Sequence, residues 1–259
     1  MTTVTTVPPG GYCWAELGTT DQATAKAFYQ GLFGWAATDT PMGPGAVYTT
    51  LKLGDRAAAA VYTLGAEQKG APPHWMLYVA VASADETARK AESLGAKIVA
   101  PPFDVMELGR MSVLQDPGGA HLSIWEARSH KGFGVMDEPG AFCWGELMTK
   151  DTAKAVAFYT QLFGWGAKPD ARSGYTEWTQ GGRSIGGMLQ IQPEWGVMPP
   201  NWGAYFQVSD CDQAVAKAKE LGGRAEMEPR DLPGIGRFAF LADPQGARFL
   251  VIALTGRGH

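Results

Sequence analysis

Two glutamates occupy the same place in two similar apolar segments, and they are the side chains best suited to chemistry. Glu16 lies in Tyr-Cys-Trp-Ala-Glu-Leu at 12–17, and Glu146 lies in Phe-Cys-Trp-Gly-Glu-Leu at 142–147. An ionised carboxylate is costly among apolar side chains unless it is paired. Each glutamate therefore either has a raised pKa, which suits a general acid or base, or bonds a ligand or a structural partner. The arginine partners available to them are Arg248 and those of the Gly-Arg dipeptides, Arg110 and Arg237.

Two histidines extend this chemistry in the first half of the chain only. His74 and His121 lie on predicted strands, and Asn201 and Arg248 stand at the matching places in the second half. With Glu16 they could transfer protons or form an unusual metal site, and the alternative is an ordinary hydrogen-bonded histidine. Glu16, His74 and His121 are the candidate catalytic residues. His130 and His259 receive no functional role, because they lie in the linker and at the terminus.

A duplication positions these residues. The segments at 12–17 and 142–147 match at an offset of 130 residues, as do Leu-Phe-Gly-Trp at 32–35 and 162–165. Later anchors match at an offset of 127: Pro-Pro at 72–73 matches 199–200, and Asp-Pro-x-Gly-Ala at 116–120 matches 243–247. Repeated anchors in one order predict two domains, at 8–127 and 138–255, joined by a linker at 128–137.

Each copy has the same predicted elements. In the first, a strand at 12–17 leads into a helix whose apolar side chains recur every 3.6 residues and which ends at Gly34. A Gly-punctuated β stretch at about 46–64 and a strand at 75–81 follow, and a capping box at 83–86 then opens a helix that runs to Leu94. Two last strands, at 111–114 and 120–126, flank the Asp-Pro-Gly-Gly turn. The order β-α-β-β-β therefore occurs twice in each copy.

That order, the helix motif Phe-Tyr-x-x-Leu-Phe-Gly-Trp and the turn Asp-Pro-x-Gly resemble the vicinal oxygen chelate superfamily. Its members include glyoxalase I, bleomycin-resistance proteins and extradiol dioxygenases. The start Cys-Trp-x-Glu-Leu is similar to that of two-domain actinobacterial proteins, among them polyketide-pathway hydroxylases and mycobacterial antigens. The resemblance implies an α+β fold of tandem glyoxalase-like domains, each built from two βαβββ modules that form a curved sheet around a cleft.

The resemblance also shows where a metal would bind. Members that use a metal take one ligand from each of four strands, and we carried these positions over onto both copies. In copy one they are Trp14, Val61 or Tyr62, Met76 and Ser123; in copy two they are Trp144, Met188 or Leu189, Gly203 and Leu250. None is a His, Glu or Asp, the residue types that bind divalent ions in such sites. We therefore expect no metal and no cofactor in either copy.

Strand alternation predicts which side chains share the face of the missing ligands. Aromatic walls with few polar groups are typical of small-molecule sites. The predicted ligand-binding residues are Tyr12, Trp14, Met76, Tyr78, Ser123 and Trp125 in copy one, and Phe142, Trp144, Glu146, Asn201, Tyr205, Gln207 and Arg248 in copy two. Trp14 and Trp144 either line a ligand cavity or fill space that a ligand and metal occupy elsewhere.

Composition narrows the class of partner. The net charge is −4 without a basic cluster, and no apolar run approaches the length of a membrane span, so we expect neither a nucleic-acid nor a membrane partner. No secretory signal is recognisable, and three cysteines do not form a disulfide framework, which favours the cytoplasm. Four modules on one chain can pair internally, which predicts a monomer, with a homodimer as the alternative. We also expect the first copy to fold alone.

Three functions remain open at this point. The first is a metal-independent protein that binds an apolar or aromatic small molecule, either to sequester a drug or natural product or to assist a pathway. The second is an enzyme of the same fold, of hydroxylase, lyase or isomerase type, that uses Glu16, His74 and His121 for proton transfer. The third is a structural or antigenic protein with filled, vestigial pockets.

Overall fold

The chain forms two similar α+β domains, as the repeat predicts. The structure, a computed structural model, describes residues 6–68 and 70–256. Domain 1 contains the elements β1 (Tyr12–Thr19), α1 (Gln22–Phe33), β2 (Ala36–Gly43), β3 (Ala46–Leu53), β4 (Arg56–Thr63), β5 (His74–Ala80), α2 (Ala84–Ser93), β6 (Lys97–Val105), β7 (Gly109–Gln115) and β8 (His121–Ala127). Domain 2 contains β9 (Phe142–Thr149), α3 (Thr152–Phe163), β10 (Gly166–Pro169), β11 (Thr176–Gln180), β12 (Arg183–Gln190), β13 (Asn201–Gln207), α4 (Cys211–Glu220), β14 (Arg224–Leu232), β15 (Gly236–Ala242) and β16 (Arg248–Leu254).

Local sequence explains where the first helix begins and ends. The Asp21 side chain accepts a hydrogen bond from the backbone N–H of Thr24 and caps the start of α1. Gly34 ends the helix in the left-handed conformation, with φ of 70°. Asp151 and Gly164 do the same for α3, so the duplicated motif specifies the same helix twice.

Each domain is one open eight-stranded sheet made of two βαβββ modules. The strand order in domain 1 is β2-β3-β4-β1-β5-β8-β7-β6, and domain 2 repeats it as β10-β11-β12-β9-β13-β16-β15-β14. The modules join where β1 pairs antiparallel with β5, and β9 with β13. The predicted curved sheet with a concave face in each copy is confirmed. Among the described residues, no helix is long and apolar enough to cross a membrane.

Two strands of each domain were not predicted from the sequence. They are the edge strands β2 and β6 of domain 1 and their counterparts β10 and β14 of domain 2. Each pairs on one side only, and many of its residues are exposed, so no run of apolar residues marks it. Prolines at 101 and 102 weakened the signal for β6 further.

The convex faces of the two domains meet in a single aromatic core. Strand β5 lies against β13 and β16, while α1 packs on α4 and α2 on α3. The Tyr29 hydroxyl of α1 donates to Asp243 of the other domain at 3.2 Å, and Trp75 Nε1 donates to the Tyr29 hydroxyl at 2.9 Å. The repeated Phe-Tyr and Asp-Pro-x-Gly motifs therefore tie the two domains together.

The second copy forms the mirror of this contact. Tyr159 donates to Asp116 at 2.8 Å and accepts from Trp202 at 2.9 Å. The indoles of Trp35 and Trp165 also cross over, donating to the backbone carbonyls of Gly140 and Gly10 at 2.7 Å each. Four hydrogen bonds between buried groups, donated by Tyr29, Tyr159, Trp35 and Trp165, thus cross from one domain to the other.

Candidate functional site

The concave face of domain 1 is centred on strand β1. Trp14 and Glu16 pair in register with Tyr78 and Met76 of β5, and Tyr78 pairs in turn with Ser123 of β8. On the other side, Tyr48 of β3 lies opposite Tyr62 of β4. These side chains share one face of the pleated sheet, as the alternation predicts.

A chain of hydrogen bonds runs across this face and ends on the Glu16 carboxyl. Trp14 Nε1 donates to the Tyr48 hydroxyl at 3.0 Å, and that hydroxyl donates to Glu16 Oε2 at 3.0 Å. The Tyr78 hydroxyl bonds Glu16 Oε1. Glu16 is therefore held between two phenols and does not pair with an arginine.

Domain 2 repeats the same chain with its own residues. Trp144 Nε1 donates to the Tyr175 hydroxyl at 2.9 Å, and the Tyr205 hydroxyl donates to Glu146 Oε1 at 3.0 Å. Tyr175 also lies close to Glu146 and lowers the pKa of its carboxyl. The Tyr175 hydroxyl passes over Gly187, where a Cβ would lie only 1.7 Å from it. The sequence of β12 thus leaves room for the phenol that reaches the carboxyl.

Burial sets the protonation of both carboxyls. Removal from water raises the pKa of Glu16, and the hydrogen bonds from Tyr78 and Tyr48 offset only part of that rise. The pKa of Glu146 is raised for the same reason, against bonds from Tyr205 and Tyr175. Burial also raises the pKa of Tyr62, which lies near Glu16, to about 12. Burial therefore shifts both carboxyls toward their neutral form.

The structure corrects the prediction for Tyr12 and Phe142. A bulge between Tyr12 and Trp14 turns Tyr12 to the convex side, where its ring contacts Phe142, Trp165 and Trp202. The pairing of β13 with β9 is irregular at the same place, and the Phe142 ring contacts Phe206. Both residues belong to the core between the domains and do not line the clefts.

The three candidate catalytic residues do not form one hydrogen-bonded group. Glu16 bonds two tyrosines, whereas His74 Nδ1 bonds the carbonyl of Pro72 at 2.8 Å. Asn201 makes the matching bond to Pro199 at 2.9 Å, so position 74 stabilises the Pro-Pro turn in both copies. His121 is exposed at the edge of the face. Partial removal of its imidazole from water lowers its pKa, and so does the neighbouring His74.

The remaining predicted ligand-binding residues divide by burial. Trp14, Tyr78, Ser123, Trp125, Glu146 and Tyr205 are buried, and Met76, Trp144, Asn201 and Gln207 are half-buried. Arg248 is exposed and pairs with Glu226 at 3.5 Å, so it is not the partner of Glu146. Arg110 and Arg237 likewise bond aspartates of their own domains and have a structural role.

Three site residues escaped the sequence analysis: Tyr48, Tyr175 and His130. Tyr48 and Tyr175 match at the offset of 127 residues, which was the signal that could have found them. His130 gave no such signal. Its ring nevertheless packs against Trp14, with ring centroids 4.6 Å apart, and against Trp125 at 5.7 Å. The linker therefore contributes a side chain to the face of domain 1.

The carried-over ligand positions do not fit a divalent ion. Register places Tyr62 and Leu189 on the concave faces, so these residues, and not Val61 or Met188, stand at the second position. The eight positions thus supply indoles, phenol, thioether, hydroxyl, aliphatic carbons and a glycine. Within residues 6–68 and 70–256, no group of three His, Cys, Asp or Glu residues could hold a metal ion.

Several side chains on the two concave faces are buried. Trp14 and Tyr78 are each 3% exposed, and Ser123 is fully buried. In domain 2 an apolar cluster of Tyr205, Leu250 and Ile252 fills the matching space. Two grooves, of about 550 and 240 Å³, lie along the helices between the domains.

Fold and sequence together assign the chain to a family. The family described as the Glyoxalase/Bleomycin resistance protein/Dioxygenase superfamily matches residues 12–124 and 128–251. Those two stretches contain both sheets almost completely. The chain belongs to this superfamily.

The chain covers nearly the whole length of similar relatives. A protein of Mycobacterium bovis named "Putative glyoxylase CFP32" is 39% identical over 245 residues, covering 92% of this chain and 93% of that protein. The Anthracycline biosynthesis protein DauV of Streptomyces sp. strain C5 is 37% identical over 266 residues, covering 97% and 96%. The same identity and coverage apply to DnrV of Streptomyces peucetius.

Solved structures show the same fold at low sequence identity. A Mn(II)-bound glyoxalase from Novosphingobium aromaticivorans superimposes with a TM-score of 0.66 at 14% identity, covering 95% of this chain and 83% of that one. The 2,3-dioxygenase LapB from Pseudomonas sp. KL28 gives 0.65 at 12% identity, covering 93% and 91%. These likenesses establish the architecture alone.

Proposed function

We propose that this protein binds an aromatic small molecule on the concave face of domain 1 and does so without a metal ion. The observation that carries the proposal is the chain of Trp14, Tyr48, Glu16 and Tyr78, which places indole and phenol rings around one carboxyl whose pKa is raised. Apolar aromatic walls with a few converging polar groups are the usual construction of a small-molecule site.

The names of two relatives suggest the chemical class of the ligand. DauV and DnrV are called anthracycline biosynthesis proteins, and they match nearly the whole chain. An anthracycline is a hydroxylated polycyclic aromatic molecule, whose flat rings suit indole and phenol walls and whose hydroxyls suit a protonated carboxyl. We therefore propose a hydroxylated polycyclic aromatic compound as the ligand class, bound for a pathway or for sequestration.

Metal independence is part of the proposal and rests on the donor chemistry. The eight family positions supply no imidazole and no carboxylate. Glu16, the nearest carboxyl, is half-buried and bonded to two tyrosines, which leaves it unsuited to a doubly charged ion. Elemental analysis after expression in metal-supplemented medium should find no stoichiometric divalent metal. One tightly held ion per chain, lost on Glu16→Gln, would overturn this part.

A second candidate function is proton transfer on the same ligand. The observation in its favour is the raised pKa of Glu16 beside the Tyr78 hydroxyl, since a neutral acid near pH 7 can serve as a general acid. The partner in this enzyme would be Tyr78, because His74 bonds a backbone carbonyl instead of Glu16.

One set of variants separates the binder from the enzyme. Trp14→Phe keeps the core filled but removes the indole; for a binder it should weaken binding of 2-hydroxyanthraquinone by about tenfold, equivalent to about 1.4 kcal/mol. Glu16→Gln should then change affinity by less than about threefold. Ligand binding is followed by tryptophan fluorescence quenching, with Trp144→Phe as the matched control in domain 2. If the chain is an enzyme, Glu16→Gln instead lowers turnover by roughly a hundredfold with affinity nearly intact.

We further propose that one chain is sufficient for function in the cytoplasm. The two modules of each sheet already pair within the chain, at β1 with β5 and at β9 with β13. Neither concave face therefore needs a second copy to complete it. Size-exclusion chromatography with light scattering should give the mass of one chain, 27.7 kDa. A dimer whose dissociation abolishes ligand binding would contradict this.

A further inference from the structure

Domain 1 contains a buried hydroxyl with no protein partner. Ser123 is fully buried, and within the described residues its Oγ makes no hydrogen bond. Its register neighbours are Tyr78 on β5 and Val113 on β7, so its side chain belongs to the concave face. Ser112, the other buried serine nearby, instead donates to the carbonyl of Ala100 at 2.7 Å. A buried polar group without a partner is uncommon and calls for an explanation.

A second unpartnered polar atom lies on the same face. His130 Nε2 is buried and has no partner among residues 6–68 and 70–256. Trp125 Nε1 donates to the His130 carbonyl at 3.0 Å, and the His130 ring stands nearly perpendicular to that of Trp14, at 84°. The imidazole is therefore fixed between two indoles with one nitrogen unused. Burial lowers its pKa, so this nitrogen belongs to a neutral ring.

Among the described residues of domain 2, the hydroxyl of Ser123 has no counterpart. Leu250 occupies the position of Ser123, and its side chain fills the space beside Gly203, where a Cβ would lie 2.9 Å from Leu250. Phe238 and Phe240 pack on the Leu250 cluster, whereas the matching residues of domain 1 are Met111 and Val113. The face of domain 2 is thus filled and satisfied, apart from its carboxyl cluster.

We infer that Ser123 and His130 bind the polar end of the ligand in domain 1, and that this ligand carries a free hydroxyl that donates to one of them. The inference rests on the proposed function and adds two things to it. It restricts the site to domain 1, and it requires a hydroxylated rather than an alkylated aromatic edge. The linker residue His130 then covers the bound ring, so the segment at 128–135 must move for the ligand to enter.

The unpartnered state of Ser123 can be tested without any ligand. Removing a hydroxyl that has no partner should leave the melting temperature unchanged or raise it. Ser123→Ala is therefore expected to be neutral or stabilising, whereas the matched Ser112→Ala should lower the melting temperature by about 2–4 °C. If both variants are destabilised equally, a bound water satisfies Ser123 and the inference falls.

The ligand test compares 2-hydroxyanthraquinone with its methyl ether on the full chain. Ser123→Ala and His130→Phe, which keeps an aromatic ring between Trp14 and Trp125, should each weaken binding of the hydroxyl compound by about fivefold. Neither should change affinity for 2-methoxyanthraquinone by more than about twofold. Binding should saturate at one ligand per chain and be insensitive to Ser112→Ala.

The outcomes separate this inference from the function it rests on. If the unsubstituted protein binds the hydroxyl compound but both variants bind it equally well, or if two molecules bind per chain, the function stands and the inference is overturned. If the unsubstituted protein binds neither compound, the proposed function is overturned and the inference with it.

Discussion

Glu16 and Glu146 are the residues around which both clefts are arranged. Each lies on a central strand of its sheet, beside two tyrosines, and has a pKa raised by burial. A group with a raised folded-state pKa stabilises the fold fully at a pH below its ordinary value of 4.5. That contribution is lost as the pH rises through the folded-state pKa.

This gives a prediction for the pH dependence of stability. Glu16→Gln removes a carboxyl that must be kept neutral, so the variant should gain stability relative to the unsubstituted protein as the pH rises from about 5 to 8. Thermal melts across this range measure the difference, and Glu146→Gln should behave in the same way. Parallel pH profiles for variant and parent would show that Glu16 is ionised in the folded protein.

Some residues of the concave face were predicted correctly from the sequence and others were not, and single positions show why. Alternation placed Trp14, Glu16 and Tyr78 on one face because β1 and β5 are regular there. It misplaced Tyr12 because one bulge reverses the side from which the residue projects. It missed His130 because the linker has no periodicity from which a direction could be read.

At the scale of single strands, Gly187 leaves the space that the Tyr175 hydroxyl occupies in domain 2. Gly187 on β12 lies beneath the Tyr175 hydroxyl, whereas Ala60 fills the matching position of β4 in domain 1. The equivalent phenols, Tyr48 and Tyr175, therefore reach their carboxyls whether this position is alanine or glycine. Strands β3 and β11 were identified only as β-rich stretches, because Gly, Thr and exposed residues obscure their alternation.

A single methyl group on β12 should break the cluster of domain 2. In Gly187→Ala the new Cβ would lie 1.7 Å from the Tyr175 oxygen, so that hydroxyl must leave Trp144 and Glu146. We expect a loss of about 1–3 kcal/mol in unfolding free energy, measured by urea denaturation. Ala60→Gly is the matched change in domain 1 and should cost about 1 kcal/mol or less. Equal stability of Gly187→Ala and its parent would disprove the packing described for Tyr175.

At the scale of the whole molecule, the repeated motifs serve the interface as much as the fold. Tyr29 and Tyr159 each reach an aspartate of the opposite domain while accepting from an indole of their own. The aromatic rings of the two copies form one continuous core. The sequence predicted the duplication and the sheets, since periodicity and anchors are local signals. It could not show that the motifs repeated in each copy contact the opposite domain.

This interface leads us to a different prediction from the expectation that the first copy folds alone. A fragment that ends at Arg128 would expose Trp35, Trp75 and Tyr29, which are buried in the full chain. We expect the fragment to be aggregated or only partly folded, as measured by near-ultraviolet circular dichroism and light scattering. A monomeric fragment with a cooperative melt would show that the domains are independent after all.

The cross-domain hydrogen bonds can be tested in the intact chain. Tyr29→Phe leaves Asp243 and the Trp75 indole without their buried partner and should cost about 1–3 kcal/mol in unfolding free energy. Tyr62→Phe removes a hydroxyl that bonds the Gln68 side chain within one domain, and it should cost less. If the two variants were equally stable, Tyr29 would not be a tie between the copies.

The most direct test of the central claim is calorimetry of the chelator-treated full-length protein with 2-hydroxyanthraquinone. We predict one ligand bound per chain, with the same affinity whether or not Mn²⁺ is then added, and about tenfold weaker binding in Trp14→Phe. Binding that occurs only after Mn²⁺ is added, or that is lost in Trp144→Phe but kept in Trp14→Phe, would contradict a metal-independent aromatic site in domain 1.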